Sequence, residues 1–500
     1  MKAGATTERS VTLSSLQDWL HVVEQIGELK RITAEVDPDL ELSTINYLSS
    51  KRPNAPALMF ENIKGHSGCC LLMNLFGLSL NRVAVSLREE PGKSGVDLVS
   101  LLRWKMKNRI PPRFVEASSA PVNQNVETGD RVDLTKFPAP KMYPRDGGRY
   151  IGTACSVITV DPANGRMNLG TYRQMLQGPR QVGFYVSPGK DANLDRENWW
   201  AKGKGAPVAA CYGLDPLQFM VSATTFPKDV SEYEYYGGMN GAPIEVFKSD
   251  ITGLTLPAHA ELIVEGWSYP GKDAPEGPFG EFTGYYGRPG GPTPYIEVET
   301  IRHRDHAVMT SEMEIGNTMM QGLTRAAKVW DDLDALGVPG VRGVWSPPET
   351  TGWGITVVSI EQRYAGHAAQ VGALAAQCMG GAYFTKYIIV VDDDIDPTNL
   401  AEVMWAVVTR SRPTQSIDIL RETWSTFLDP SQNPPELRPS GSKCVINACK
   451  EFRYLKVFSP RTLLQKDVYE SVCARWRELG FESEPANVIS FETFKEEVAG

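Results

Sequence analysis

The stretch Glu276-Gly-Pro-Phe-Gly-Glu281 sets two carboxylates five residues apart around Gly277, Pro278 and Gly280. Proline and glycine at this density exclude a helix interior or a central strand, so a shaped turn is expected. Turns held on a rigid scaffold often carry function, and paired carboxylates are common acid/base machinery. A solvated surface turn has the same composition, and these residues alone leave both readings open. A second segment, Asn168-Leu-Gly-Thr-Tyr-Arg173, adds an amide and a guanidinium. Arginine grips a carboxylate through two parallel hydrogen bonds. Near two glutamates it would keep one ionised and let the other carry a proton, because like charges at close range push their pKa values apart. The alternative for Arg173 is an ordinary surface ion pair.

Other residues have weaker claims. Asn168 and Glu232, the latter in Val230-Ser-Glu-Tyr-Glu-Tyr-Tyr236, are hard oxygen donors suited to Mg²⁺, Mn²⁺ or K⁺ rather than zinc. Ala223-Thr-Thr-Phe-Pro227 offers hydroxyls and amides for a phosphate or a monovalent ion, and reads equally as a Thr-rich loop. Tyr233, Tyr235, Tyr236, Tyr285 and Tyr286 are candidates to wall an aromatic ligand, or to pack. Asp392-Asp-Asp394 reads as a solvated turn rather than a metal site. Lys202 and Lys204, in Ala201-Lys-Gly-Lys-Gly205, read as a flexible loop.

These residues need a scaffold. Five hundred residues exceed a single core, so about two to four domains are expected. Apolar content of 42% and charged content of 22% are ordinary for a soluble globular protein. The net charge of −9, 51 basic against 60 acidic residues, argues against nucleic acid or an anionic membrane as the main partner. The apolar runs are too short to cross a bilayer, and Met1–Ser10 has no signal-peptide core, so a cytoplasmic location is expected. The eight cysteines show no CxxC or zinc spacing and read as reduced. Dinucleotide, phosphate-loop and nucleophile-elbow fingerprints are absent from the sequence.

Residues 13–26 read as a helix with a Ser15/Asp18 capping box and Gly27 as its stop. Leu29–Ile32 and Ala57–Phe60 read as strands of an α/β segment. Residues 111–150 read as a long wrapping connection. Ile151–Val160, Pro207–Tyr212, Ala260–Glu265 and Tyr295–Ile301 read as strands of a β-barrel or sandwich. Ile296, Val298 and Thr300 alternate with Glu297 and Glu299, which suggests one wet face. Ile355–Ile360 and Tyr387–Val391, with helices at about 365–379 and 400–409, read as a parallel α/β layer. A last helix over 463–479 carries a stripe of Leu464, Val468, Val472, Trp476 and Leu479, which would dock back or meet another subunit.

In order and spacing, these segments resemble the UbiD family of reversible (hetero)aromatic and α,β-unsaturated acid decarboxylases. The resemblance rests on Gly27–Ile32 with Val36–Leu40, Pro56–Gly65, Asn168–Arg173, Pro257–Gly266, Pro275–Tyr285, Lys386–Asp394 and Trp405–Arg410. It implies an α/β, multidomain α+β fold. Its expected parts are an N-terminal α/β domain (1–120), a central split β-barrel flavin-binding domain (121–318), a C-terminal α/β domain (319–450) and a helical oligomerisation tail (451–500). It implies prenylated FMN with a divalent ion and K⁺ at the phosphate. Carried over residue by residue, Glu276, Arg173 and Glu281 form the catalytic trio. Glu281 exchanges the proton and Arg173 orients the substrate carboxylate. Asn168 and Glu232 match divalent-ion ligands, and Thr224, Thr225 and Phe226 match the loop beside the cofactor. Thr171, Tyr172 and Lys190 fall among the cofactor-contacting positions. Relatives place a metal-ligating histidine where this chain reads Ser187-Pro-Gly-Lys-Asp191. Either Lys190 or Asp191 stands nearest that position, which leaves the divalent ion (Mn²⁺ or Mg²⁺) open.

The implied activity is decarboxylation of an aromatic or heteroaromatic acid, a CoA thioester-bearing one included. A flavin prenyltransferase would supply the cofactor, and the assembly would be a homodimer or homohexamer. The alternatives are a flavin-dependent oxidoreductase, which has no need of the glutamate pair, and a subunit of a multi-subunit aryl carboxylase. Pocket walls are expected near 315–330 and 437–445, with Leu323 and Leu437–Ser442 as candidates.

Overall fold

The computed structural model describes residues 13–485 apart from 53, 228–229, 288, 314–317, 433–439 and 463. The first helix spans Leu16–Gln25, with the Ser15/Asp18 capping box formed and Leu16, Trp19, Leu20 and Val23 buried. Gly27 adopts a φ of 76° just past its end, a backbone state that glycine reaches without steric penalty. Leu29–Ile32 then pairs in parallel with Ala57–Phe60, which pairs antiparallel with Cys70–Met73. The fourth strand of this sheet, Val308–Thr310, arrives from the far end of the central region and ties the two parts together.

The central sheet has ten strands. Its main path runs Tyr150–Gly152, Gln174–Gly178, Gln181–Gly183, Gly291–His303, Leu262–Ser268, Ala206–Tyr212, Ser156–Val160 and Met167–Gly170. Connectivity forces this sheet to curl. Met167–Gly170 ends the path and Gln174–Gly178 stands near its start, yet only residues 171–173 join them. Four residue steps span at most about 14 Å, so the two margins must approach each other. Of the barrel and sandwich that the strand spacing allowed, the curled half-barrel is present, and Arg173 lies on its seam. Residues 153–155 cross the same seam, which is why the expected strand Ile151–Val160 is two strands, Tyr150–Gly152 and Ser156–Val160. On Gly291–His303, Ile296, Val298 and Thr300 are buried, while Glu297 is half-buried and Glu299 exposed.

The last sheet has five strands, in the order Val341–Trp345, Ile355–Ile360, Tyr387–Asp392, Ser440–Ala448 and Ile417–Trp424. Ile355–Ile360 and Tyr387–Asp392 are parallel and are linked through the helix His367–Gln377, as the sequence pattern predicts. The helix Leu400–Arg410 follows. Residues 393–394 form the expected turn and Asp393 is exposed, but Asp392 and Asp394 are not solvated. The Arg410 guanidinium, 9% exposed, donates to Asp392 and Asp394 at 2.6–2.9 Å, and Lys450 lies 3.2 Å from Asp394. The terminal helix is shorter than expected, Lys466–Ala474, and none of its residues is buried. Leu464, Val468, Val472 and Leu479 remain exposed. No helix among the described residues is long and apolar enough to cross a membrane.

Candidate active site

Glu276 ends the strand Asp273–Glu276, whose partner is the long strand Gly291–His303. The chain then turns sharply at Gly277 (φ 74°) and passes through Pro278 to Glu281. The turn is packed to contact on both sides. A Cβ at Gly147 would lie 2.1 Å from the Gly277 carbonyl oxygen, and one at Gly290 2.3 Å from it. The Gly147 N–H donates to the Pro278 carbonyl (2.8 Å), and the Gly280 N–H donates to Asp146 Oδ1 (3.0 Å). The Glu281 N–H donates to the Tyr285 carbonyl (3.0 Å). The loop is thus fixed by backbone contacts, which is what a proton-transfer group requires of its support.

The seam residue Arg173 meets both glutamates. Its Nε and Nη2 donate to Glu276 Oε1 and Oε2 at 2.9 and 3.2 Å, and its Nη1 donates to Glu281 Oε1 at 2.5 Å. Glu276 is 1% and Glu281 5% exposed, so this is no surface ion pair. Burial alone pulls the guanidinium down, but Glu281 and Glu276 outweigh it and hold Arg173 above its ordinary range. Tyr150 donates from its hydroxyl to Glu276 Oε1 (3.1 Å). Burial and the Glu276 charge both push that phenol up, keeping it a donor. The Arg173 guanidinium also faces the rings of Tyr185 (5.0 Å) and Phe279 (5.2 Å).

A second polar cluster lies where the strand Met167–Gly170 meets the helices Asp191–Ala201 and Glu232–Asn240. The Asn168 amide donates to Thr159 Oγ1 (3.2 Å), whose hydroxyl donates to Asp195 (2.6 Å). Thr171 donates to the Cys155 carbonyl. Burial pushes the Tyr172 phenol up to about 12, against hydrogen bonds from Asn168 and the Ala192 N–H. Glu232 is buried, and its Oε2 has no hydrogen-bond partner. Burial pushes its carboxyl up to about 7, offset in part by N–H groups at 232 and 169. A buried carboxylate oxygen without a partner is costly unless a cation meets it, so the site fits a divalent ion. Asp191, whose carboxylate lies 3.4 Å from Arg166, acts electrostatically on Glu232. Lys190 instead turns its ammonium toward the Tyr383 ring (5.9 Å). Among the described residues no three His, Cys, Asp or Glu side chains form a metal-ligating group, so an ion here would also draw on the Asn168 amide.

The loop 224–226 follows the helix Pro216–Ser222. Thr224 donates to the Met220 carbonyl, Lys328 donates to the Thr225 carbonyl (3.2 Å), and Phe226 stacks on Tyr235 (3.9 Å). Tyr233, Tyr235 and Tyr236 do not wall a ligand; all three are buried core side chains, and Tyr236 donates to Asp215. The aromatic wall beside Glu281 comes from residues that the sequence pattern did not single out. Phe282 meets Trp353 (5.1 Å) and Phe384 (5.7 Å), and Trp353 meets Tyr383 (5.9 Å). Tyr285 and Tyr286 line a cavity of about 320 Å³ with Arg145 and Leu428. That cavity adjoins Glu281 through Gly287, where a Cβ would lie 3.0 Å from Glu281 Cγ. Lys204 borders a separate cavity of about 480 Å³ with Trp199, Trp267 and Tyr269, which none of the trio lines. Leu323 is fully buried in the core, and Leu437 lies outside the described residues.

The comparisons agree with this architecture. The 3-octaprenyl-4-hydroxybenzoate carboxy-lyase family is matched over three successive parts: the N-terminal domain (residues 20–102), the Rift-related domain (113–317) and the C-terminal domain (318–448). The UbiD-class enzyme HmfF from Pelotomaculum thermopropionicum superposes with a TM-score of 0.82 at 27% identity, covering 91% of this chain and 98% of that one. Vanillic acid decarboxylase from Sedimentibacter hydroxybenzoicus, in its open form, gives 0.83 at 28% identity, covering 94% and 99%. The 3,4-dihydroxybenzoic acid decarboxylase of Klebsiella pneumoniae, at 24% identity and a TM-score of 0.83, shares the fold, with 94% and 100% covered. The chain belongs to the UbiD family and is a carboxy-lyase.

Proposed function

We propose that the chain decarboxylates an aromatic or heteroaromatic acid, reversibly and with prenylated FMN, through Glu276, Arg173 and Glu281. The observation that carries the reading is the contact of one buried guanidinium with two buried carboxylates on a rigid turn. One positive charge cannot balance two negative ones, so the fully ionised trio leaves net negative charge inside the protein. A proton on Glu281 removes that charge and is then available for the carbon that loses CO₂. Glu276 grips Arg173 from two sides and fixes the plane in which the guanidinium meets the substrate carboxylate. When bound, prenylated FMN supplies the electron sink that no side chain offers. Asn168, Glu232 and Asp191 would hold the divalent ion at its phosphate. Thr171, Tyr172 and the loop 224–226, with its K⁺, would border it. The HmfF relative is known in complex with FMN and with prFMN, and vanillic acid is an aromatic acid.

The test is a near-ultraviolet and visible spectrum of the protein co-produced with a flavin prenyltransferase, followed by a CO₂-release screen over aromatic acids. Flavin absorbance and CO₂ release that depends on the prenyltransferase are expected. A flavin-loaded protein that releases CO₂ from none of them refutes the reading.

A further inference from the structure

Three basic side chains are gathered behind the aromatic wall, on elements far apart in the sequence. Arg325 and Lys328 stand on the helix Thr318–Ala335, and Lys443 on the strand Ser440–Ala448. The Arg325 guanidinium lies 5.0 Å from the Trp353 ring centre, and Trp353 in turn touches Phe282, next to Glu281. The Arg325 and Glu281 charges both act on the Tyr383 hydroxyl, in opposite senses. The Lys190 ammonium lies 5.9 Å from the centre of the same Tyr383 ring.

Arg325 and Lys443 are buried and make no ion pair with a carboxylate among the described residues, while Lys328 is half-buried. Arg325 is 9% and Lys443 2% exposed. Arg325 donates to the Gly380 carbonyl (2.9 Å) and to Thr385 Oγ1 (2.5 Å), while its Nε has no partner. Lys443 donates to the carbonyls of Gly381 and Ala382 at 2.8 and 2.6 Å. Neutral acceptors use up donors but leave the charge standing. A neutral amide would serve the same carbonyls without the desolvation penalty of a buried cation. Asp332 acts on Lys328 and offsets part of the charge. Burial pulls Arg325 down to about 10, and burial together with the Arg325 charge pulls Lys443 down to about 8. Nothing in the trio's chemistry uses this group, and packing alone gives no reason for three cations beside a ring-lined wall.

We infer that Arg325, Lys328 and Lys443 form an anion subsite, and that the substrate is an aromatic acid carrying a second negatively charged group. The inference rests on the proposed decarboxylase reading. Arg173 would take the carboxylate that leaves, the wall of Phe282, Trp353 and Tyr383 would flank the ring, and the cations would take the second anion. A phosphate presents the same chemistry, and Lys328 bonds to the loop proposed to border the cofactor. The experiment therefore separates the two sources.

Equilibrium binding to the holoenzyme is measured for benzoate and the three benzenedicarboxylates. Binding of FMN and of riboflavin is measured on the cofactor-free protein. The proteins are wild type, Arg325→Met, Arg325→Lys, Lys328→Gln and Arg173→Met, each checked by thermal unfolding. Wild type is expected to bind at least one dicarboxylate about tenfold or more tighter than benzoate, the effect of one charge-assisted contact. Arg325→Met and Lys328→Gln should erode that preference with little change for benzoate, and Arg325→Lys should restore most of it. Equal wild-type affinity for benzoate and every dicarboxylate overturns the subsite. Loss of the FMN-over-riboflavin preference in Arg325→Met, with the dicarboxylate preference intact, assigns the cations to the cofactor phosphate and also overturns it. If Arg173→Met leaves the binding of every acid unchanged, the decarboxylase reading has failed. If acid binding depends on Arg173 and the dicarboxylate preference ignores Arg325, only the subsite has.

Discussion

Arg173→Lys keeps the charge at the seam and removes the fork. Arg173 makes three hydrogen bonds to two carboxylates, at 2.5, 2.9 and 3.2 Å. A lysine ammonium is a point donor on a flexible stem and cannot hold Glu276 in two places while reaching Glu281. About two charge-assisted bonds are lost, each worth roughly 1.5–3 kcal/mol. The retained positive charge recovers part of this, which leaves a net loss of about 2–4 kcal/mol in transition-state stabilisation. That is about 30- to 1,000-fold in kcat/KM. An exposed ion pair would be worth no more than about 1 kcal/mol, so the size of the effect discriminates. The assay is initial-rate CO₂ release by the holoenzyme, with kcat and KM separated, flavin occupancy read from absorbance, and Tm recorded. A kcat/KM within about threefold of wild type at full occupancy would refute the reasoning.

Other predictions test the supports of the site. Metal analysis of the purified protein is expected to find a stoichiometric divalent ion that Glu232→Gln and Asp191→Ala each deplete, because Glu232 Oε2 is buried without a partner; unchanged metal content in both variants contradicts this. Gly147→Ala would set a Cβ 2.1 Å from the Gly277 carbonyl, so the turn must shift by about 1 Å, costing about 1–3 kcal/mol of stability and on the order of 100-fold in kcat. A variant with wild-type Tm and rate would show that the turn is not fixed by this contact. Glu312 is fully buried, and its carboxyl is pushed up to about 8 by that burial. With the folded value above the unfolded one, its contribution is present below about pH 4.5 and lost as pH rises through about 8. Glu312→Gln should therefore gain stability relative to wild type toward pH 9, by up to about 5 kcal/mol, with the difference fading toward pH 5 in denaturant titrations. A difference that does not vary with pH would contradict it.

Local signals carried much of the fold. Ala57–Phe60 and Ile355–Ile360 are short, mostly apolar runs, Leu29–Ile32 is a short stretch just past a helix-stopping glycine, and the strands fall on those residues. The capping box at Ser15 is a contact within one turn and so is readable in the chain. Long-range pairs are not. The Arg410 grip on Asp392 and Asp394 joins the last residue of a helix to a strand end, so three aspartates read alone looked solvated. Tyr233, Tyr235 and Tyr236 looked available for a ligand because a buried helix with polar neighbours has no apolar stripe. The site was legible in its residue types but not in its contacts. Arg173 and the two glutamates stand more than a hundred positions apart, and only the curl of the sheet brings them together. The wall of Phe282, Trp353, Tyr383 and Phe384 comes from irregular segments that carry no period.

Solvent deuterium incorporation by Glu281→Gln holoenzyme is the most direct measurement. Product formed by the wild type in D₂O, and acid-free product incubated with it, should acquire deuterium at the carbon that bore the carboxylate. The glutamine variant, with its flavin spectrum and Tm retained, should neither release CO₂ nor exchange that hydrogen. Exchange and turnover at wild-type rates in Glu281→Gln would contradict the assignment of the proton to this side chain.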